Sequence, residues 1–494
     1  MNKRSMGAIA TLIMLGGCAM APDYQPPESR LNSVYLNQGA QGTTTRGELG
    51  HTWWTQFNDP QLNELVARAQ RQSITLKIAS QRIQAAQAYQ SAVASFKVPT
   101  LTLGAGYADI RLSENEALMG QAVSGIALPP ALGGGTAKLV DRDPTETFVG
   151  INAAWELDLF GRIDSLSQAA AIRAEQAEIM RQGLNTAMTA DVISNYLQYR
   201  GAEERIAIAT KNMREQEETL AMVESLQRTG YGSELDVANA RAGLAAARAS
   251  IPMLETARSV HLSRLAVLLG EPVSQTRARF SPAPLPSMKA LVPTGLPASL
   301  LTRRPDIAIA IAERAIAARN QEVGAAIADR YPKVFLTGAP GLVSGETGNL
   351  FESGSTTWAL GAGVSWNLFD GGRGEAMVKI QEAGLKEAAL AYQNQVNSAF
   401  NEVETTLVAY GNSLEYSKHL GEANQQAQTA LTKAKALYRA GLVNHLSVLD
   451  AERQQNSVQD AEIVARLGSA TKVVLLHKAL GGDWEVPQPA PSQG

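Results

Sequence analysis

The chain holds one thiol, Cys18, and five imidazoles: His51, His261, His419, His445 and His477. The histidines are scattered, and none stands at metal-ligand spacing from another. There is no Gly-x-Ser-x-Gly elbow, no His-Glu-x-x-His pair and no Cys/His cluster. Gly133-Gly134-Gly135-Thr136-Ala137-Lys138 lacks the Gly-Lys-Ser/Thr ending that cradles a phosphate. Asp370-Gly371-Gly372-Arg373 fits a strand-to-helix turn, and Asp141 and Asp143 lack a calcium-loop pattern. These residues predict no catalysis, no metal and no cofactor.

The chemistry that remains is acylation of Cys18. Lys3 and Arg4 give a basic start, Met6 to Leu15 a short apolar core, and Leu15-Gly16-Gly17-Cys18 the small residues of a bacterial lipobox. Residues 1–17 then form a signal peptide, cut before Cys18, and the lipidated thiol anchors the chain. An ordinary signal peptide with an incidental cysteine is the other reading. Ala19 follows, not the Asp that often retains such proteins at the inner membrane.

The 494 residues are 45% hydrophobic and 18% charged, ordinary for a folded chain. A net charge of −3 gives no footprint for nucleic acid. No later stretch of about twenty apolar residues exists, so a membrane could be crossed only by a closed β-barrel.

The elements come in two copies. Trp155 recurs as Trp366, Gly161-Arg162 as Gly372-Arg373, Gly230 as Gly441, Leu235 as Leu446 and Leu269-Gly270 as Leu480-Gly481, always 211 residues apart. A first repeat, 60–272, is expected to hold a helix at about 60–97, strands at about 98–112 and 147–159, and helices at about 166–229 and 235–270. A second, 297–484, is expected to hold a helix at about 297–331, strands at about 333–342 and 355–369, and helices at about 377–440 and 446–481. The segment 18–59 is an extended N-terminal piece, 273–296 a Pro-rich linker, and 485–494 a flexible tail. Asp59 is a candidate N-cap, with Pro60 in the first turn of its helix. Trp53, Trp54 and Phe57 are expected to pack on the domain.

The strands alternate. Leu101, Leu103, Ala105 and Tyr107 share one face; so do Val149, Ile151, Ala153, Trp155 and Leu157; so do Trp358, Leu360, Ala362, Val364, Trp366 and Leu368. The opposite positions are rich in Gly, Ala, Ser, Thr and Asn. Pro340 weakens the third strand, because proline cannot donate to a ladder. A water-filled barrel in lipid needs one apolar and one polar face, with Trp155, Trp358 and Trp366 in its aromatic belt. A soluble sheet lying on a core would alternate in the same way. Four strands cannot close a barrel, which needs about eight. Strands in lipid would therefore require several chains, and three would supply about twelve. Each second strand leads into a helix roughly 90 Å long, which points to an elongated coiled assembly.

Several segments in this order resemble the bacterial outer membrane factor family, the TolC-like and NodT-type efflux lipoproteins. They are Leu15-Gly16-Gly17-Cys18, Trp54-x-x-Phe57-x-Asp59-Pro60-x-Leu62, Trp155-Glu-Leu-Asp-Leu-Phe-Gly-Arg162, Leu301-Thr-Arg-Arg-Pro-Asp306, Tyr438-Arg-Ala-Gly441, Leu449-Asp-Ala-Glu-Arg453 and Ala479-Leu-Gly-Gly-Asp-Trp484. The resemblance implies a mainly α-helical chain with a membrane β-barrel, built from duplicated β-β-α-α halves. A homotrimer would form a 12-stranded outer-membrane barrel continued by a long periplasmic α-helical barrel. It would be the exit duct of a tripartite pump in a Gram-negative bacterium, served by a periplasmic adaptor and an inner-membrane pump of the RND type.

The resemblance also assigns roles. The turns with Gly230, Tyr231, Gly232 and Ser233, and with Gly441, Leu442 and Val443, would be adaptor-docking tips; plain helix–helix turns are the alternative. Leu446 and Asp450 match an apolar and an acidic ring at a closed aperture, and Tyr438 and Arg453 match residues that tie the closed helices together. Leu446 and Asp450 are four apart, hence on one helix face. Three copies of Asp450 would favour cations, whereas an Asp450–Arg453 surface pair would carry little energy. Some members carry an acid and a base where Ser447 and Val443 stand here. A duct for protein secretion and a non-channel helical scaffold are the rival readings.

Overall fold

In a computed structural model of the chain, residues 20–22, 32–47, 50–117, 120–128, 135–288, 290–304 and 309–482 are described. Cys18, the signal segment and the tail 485–494 lie outside them. The described residues fall into two compact units, one holding Gln87–Ile172 and Ala317–Lys386, the other Gln25–Ala86, Arg173–Ile316 and Glu387–Gly494. Each unit draws on both sequence repeats, because strands of both repeats share one sheet and helices of both share one core.

The first unit carries the sheet. Its strands are β1 (Thr100–Asp109), β2 (Thr145–Leu157), β3 (Lys333–Gly338, resumed at Gly341–Ser344) and β4 (Thr356–Thr357, resumed at Leu360–Ser365). They pair antiparallel in the order β1-β2-β3-β4. Pro340 explains the break in β3. Its carbonyl accepts from Ile151 N–H at 2.9 Å, but it has no N–H to return. The register is kept across the gap, with Ala339 and Ala359 bonded both ways at 2.8 and 3.2 Å. The strand expected over 355–369 is shorter than its alternation suggests. Its ladder ends where Ser365 faces Lys333, since β3 starts there, just after Pro332.

Helices α1 (Pro60–Gln72) and α2 (Ile74–Ala94) replace the single helix expected over 60–97. The break falls at Ser73, where Gly270 packs so closely that a Cβ on it would lie 3.3 Å from Ile74 and 3.4 Å from the Gln72 carbonyl. The long helices are α3 (Arg162–Arg228) and α4 (Glu234–Leu269) in the first repeat. A short helix, α5 (Val273–Arg279), occupies the start of the Pro-rich linker. The helix expected over 297–331 is two: α6 (Leu300–Arg303) and α7 (Ile309–Ala328). Arg304 is extended, as the residue before a proline tends to be. The second repeat ends with α8 (Arg373–Arg439) and α9 (His445–Ala479). Among the described residues no helix is long and apolar enough to cross a membrane.

The second unit has a conventional core. Val192, Ile193, Leu197, Leu265, Leu269, Leu407, Val474 and Leu476 are fully buried in it. Asp59 caps α1, accepting from the N–H of Gln61 and Leu62 at 2.9 and 3.2 Å, and Pro60 opens the helix. Trp53, Trp54 and Phe57 are buried, and Trp53 stacks on His477 with centroids 4.1 Å apart.

Candidate functional site

The sheet separates two chemistries. Paired residues on neighbouring antiparallel strands point to the same face. Leu101 faces Ala153, Leu103 faces Ile151 and Ala105 faces Val149. Trp155 faces Leu336 and Leu157 faces Val334; Leu336 in turn faces Ala362, and Val334 faces Val364. The other face carries Thr100, Thr102, Gly104, Asn152, Ala154, Glu156, Lys333, Thr337, Gly361, Gly363 and Ser365, with Phe148, Phe335 and Val343 as its large apolar members. Among the described residues nothing covers the apolar face: Leu103 is 74% exposed and Leu360 77%. Among the described residues neither outer edge, on β1 or on β4, has a strand beside it.

Two of the three candidate belt tryptophans are fixed in the same way. Trp155 Nε1 donates to the Lys97 carbonyl at 3.1 Å, and Trp366 Nε1 donates to the Arg330 carbonyl at 3.0 Å. Each indole thus satisfies a carbonyl at the end of the helical segment preceding a strand, while its ring lies beside the apolar face. Trp366 sits one residue past the β4 ladder, and Trp358 lies in the short gap of β4, largely exposed. On the polar side Arg162 grips Glu156 with two bonds of 2.9 Å, and Lys97 reaches Asp164 at 2.6 Å. The described N-terminal residues Ala21 and Pro22 are also held against α7. Asn320 Nδ2 on α7 donates to the Pro22 carbonyl at 2.8 Å, and a Cβ on Gly324 would lie 2.8 Å from the Ala21 backbone.

In the second unit the two expected tips are tight turns. Gly230 and Gly441 have φ of 84° and 72°, the left-handed values that end a helix. The N–H groups of Tyr231 and Gly232 both donate to the Leu226 carbonyl at 3.0 Å, and Leu442 N–H donates to the Leu437 carbonyl at 2.9 Å. Ser233 opens α4 with a capping box to Asp236, and Asn444 caps α9 at Ser447 N–H. Tyr231, 89% exposed, and Leu442 stand out into solvent, while Val443 is half-buried.

The aperture residues lie on the turn after the second tip. Leu446 and Asp450 are exposed on one side of α9, and among the described residues Asp450 and Arg453 form no salt bridge with each other. Tyr438 makes an edge contact with His445, centroids 5.6 Å apart; burial, helped by the Asp236 charge, pushes its phenol up. Behind this side α9 buries Glu452, which accepts from Gln216 Nε2 of α3 at 3.0 Å and meets Lys435 Nζ of α8 at 3.0 Å. Sequence reading missed Glu452. Its only local signal is the three-residue step from Leu449 through Glu452 to Gln455, which places it on the buried face.

Comparison with known proteins identifies the chain. A model of the outer membrane efflux protein family matches residues 65–271 and 296–482. The solvent efflux pump outer membrane protein SrpC of Pseudomonas putida is 31% identical over 488 residues, covering 97% of this chain and 98% of that protein. Outer membrane protein OprJ of Pseudomonas aeruginosa is 30% identical, covering 98% of this chain and 97% of that protein. The solved structure of the outer-membrane channel OprN superposes with a TM-score of 0.82 at 31% identity, over 94% of this chain and 99% of that one. The chain belongs to the outer membrane efflux protein family.

Proposed function

We propose that three copies of this chain close a twelve-stranded barrel in the outer membrane, extend it into the periplasm as a helical barrel, and so form the exit channel of a tripartite efflux pump. The observation that carries this reading is the four-stranded sheet with one apolar face, one polar face and two free edges. Lipid tolerates no unpaired edge, and a water-filled barrel needs that division of faces. The apolar face then meets lipid, with Trp155, Trp358 and Trp366 in the interfacial belt, and the Thr/Gly/Ser/Asn face lines the lumen. Cys18, acylated, tethers each copy; the grip of Asn320 on Pro22 supports a tether beside the first unit.

In this reading the Gly230–Ser233 and Gly441–Val443 turns meet the periplasmic adaptor, and an inner-membrane pump of the RND type drives transport. Leu446 and Asp450 ring the closed end, with Tyr438 and Arg453 holding neighbouring helices. The cargo is organic solvents and antibiotic-sized amphiphiles, by analogy with the solvent pump of Pseudomonas putida. The test is a deletion strain stripped of other exit ducts, with and without the gene, challenged with toluene, hydrophobic antibiotics, dyes and copper. Restored tolerance to solvents or antibiotics is expected; no change on any compound would overturn the efflux reading. In planar bilayers, Leu446→Ala/Asp450→Ala should raise conductance several-fold and weaken cation preference. Unchanged conductance would remove these residues from the aperture.

A further inference from the structure

The duplication repeats one ion pair with its charges reversed. A shift of 211 residues carries Glu224 of α3 onto Lys435 of α8, and Arg241 of α4 onto Glu452 of α9. Both pairs are formed: Arg241 meets Glu224 at 2.8 Å, and Lys435 Nζ meets Glu452 Oε1 at 3.0 Å. Their surroundings differ. The side chains of Arg241 and Glu224 are 66% and 38% exposed, whereas that of Glu452 is 3% exposed. The first pair therefore carries little energy, but a buried carboxylate is costly unless it is both paired and hydrogen-bonded.

A third helix supplies what Glu452 needs. Gln216 of α3, itself buried, donates through Nε2 to Glu452 Oε2 at 3.0 Å. The residue in Gln216's place in the other repeat is Ala427, whose methyl can bond no ion. Lys435 also lies 3.9 Å from Glu215, the neighbour of Gln216 on α3. The fourth helix closes the group. A Cβ on Gly243 of α4 would lie 3.0 Å from Gln216 Oε1, so the bare glycine lets α4 approach while Gln216 stays turned to Glu452. Side chains of α3, α8 and α9 and the backbone of α4 thus meet at one junction.

We propose that this junction positions the aperture, with Glu452 as its central residue: it holds the α8–α9 hairpin against α3 and so sets how near Leu446 and Asp450 come to the channel axis. This rests on the aperture reading above and adds to it the element that keeps the aperture narrow. Glu452 lies six residues beyond Leu446 on α9, roughly 9 Å along the helix. It is buried against the other helices, while Leu446 and Asp450 are exposed. A movement of the hairpin away from α3 breaks the Gln216 bond while Glu452 is still enclosed, so the wide arrangement is the costlier one. The asymmetry of the junction matches that of the aperture. Asn239 stands in the first repeat where Asp450 stands in the second, so the hairpin with the buried tie is also the one with the acid.

Gly243 supplies a probe that leaves every charged group in place. Gly243→Ala sets a methyl against Gln216 Oε1, and the amide must give way from Glu452. The helix itself gains, because alanine is the better helix former. A wider channel in this variant therefore cannot come from a weakened α4. Apart from α4 itself, every atom within 4 Å of that methyl belongs to Gln216. In a Gln216→Ala chain the methyl has nothing to push.

The full-length protein and its variants would be reconstituted in planar bilayers and their single-channel conductance measured, with native mass and thermal midpoint recorded alongside. Glu452→Leu, which keeps the bulk and removes the acceptors, is expected to raise conductance several-fold. Glu452→Gln, which still accepts from Gln216 and Lys435, should keep most of the narrowing. Gly243→Ala should raise conductance about twofold in the parent chain and add nothing on top of Gln216→Ala, as residues acting through one contact do. Should Glu452→Leu fail to assemble, the Gly243→Ala comparison decides alone. Parent conductance in Glu452→Leu, or an equal effect of Gly243→Ala in both backgrounds, would overturn the junction. If Leu446→Ala/Asp450→Ala still raises conductance in the same membranes, the aperture stands without it. If that double variant is silent as well, both readings fall.

Discussion

Arg200→Ala should cost about 3–5 kcal/mol of stability, the usual result of removing one partner from a buried charged network. Arg200 is fully buried on α3, and each of its donors is used. Nε donates to the Tyr196 hydroxyl at 3.0 Å; one terminal nitrogen donates to Glu203 at 2.6 Å and to the Ser281 carbonyl at 2.7 Å; the other donates to Gln61. Its guanidinium lies 5.1 Å from the Tyr196 ring centroid and 5.6 Å from that of Phe280. Tyr196 in turn donates to Asp59 at 2.6 Å; burial and that bond hold its phenol far above the ordinary range, so it stays a donor. One side chain thus ties α3, the start of α1 and the segment after α5. Arg200→Lys should lose most of the same stability, because a single ammonium cannot reach four acceptors and stack as well. Urea unfolding of the second unit's signal, followed by tryptophan fluorescence, would check this. A loss below about 1 kcal/mol would mean that the network is replaceable.

The second large effect is acid sensitivity through His477. The ring is fully buried against Trp53, and its Nδ1–H donates to the Val473 carbonyl at 2.9 Å. Burial pulls its pKa down from 6.5 to about 4. The folded chain therefore holds the neutral ring while the unfolded chain binds a proton below about pH 6.5. The stabilisation is complete above that pH and is lost as pH falls towards 4, about 3 kcal/mol in all. His477→Phe keeps the stack and removes the titration. The difference in unfolding midpoint between parent and His477→Phe should change by several degrees between pH 7 and pH 4. A difference that stays constant with pH would show that His477 is not buried neutral. His261, part-buried beside Asn195 and shifted downward by burial, acts in the same direction in both proteins and cancels.

What could be read in advance follows from the range of each interaction. The faces of the sheet were legible at Leu101, Ile151 and Val364, because alternation is a local property and the ladder only aligned it. The glycines of both tips were legible for the same reason, since a left-handed turn needs them whatever the surroundings. Ser73 was not legible as a helix break, because no proline or glycine marks it locally and Gly270, which packs there, lies far along the chain. Arg200 looked like any helical arginine, since its partners Gln61 and Ser281 lie 139 and 81 residues away. Glu452 was passed over because its neighbours come from two other helices. Over 366–369 the alternation ran beyond the ladder of one chain, for want of a neighbouring strand.

The two free edges also set a kinetic requirement. If three copies close one barrel, as proposed, each exported chain carries a sheet that it cannot complete by itself. In that assembly its last hydrogen bonds would form on collision with other chains, and barrel closure would have a reaction order above one. At low synthesis rates the half-built sheet persists, exposing the kind of hydrophobic edge that recruits wrong partners. Insertion yield should therefore rise more steeply than in proportion to the rate of export, and the excess chains at low output should be the ones that proteases remove.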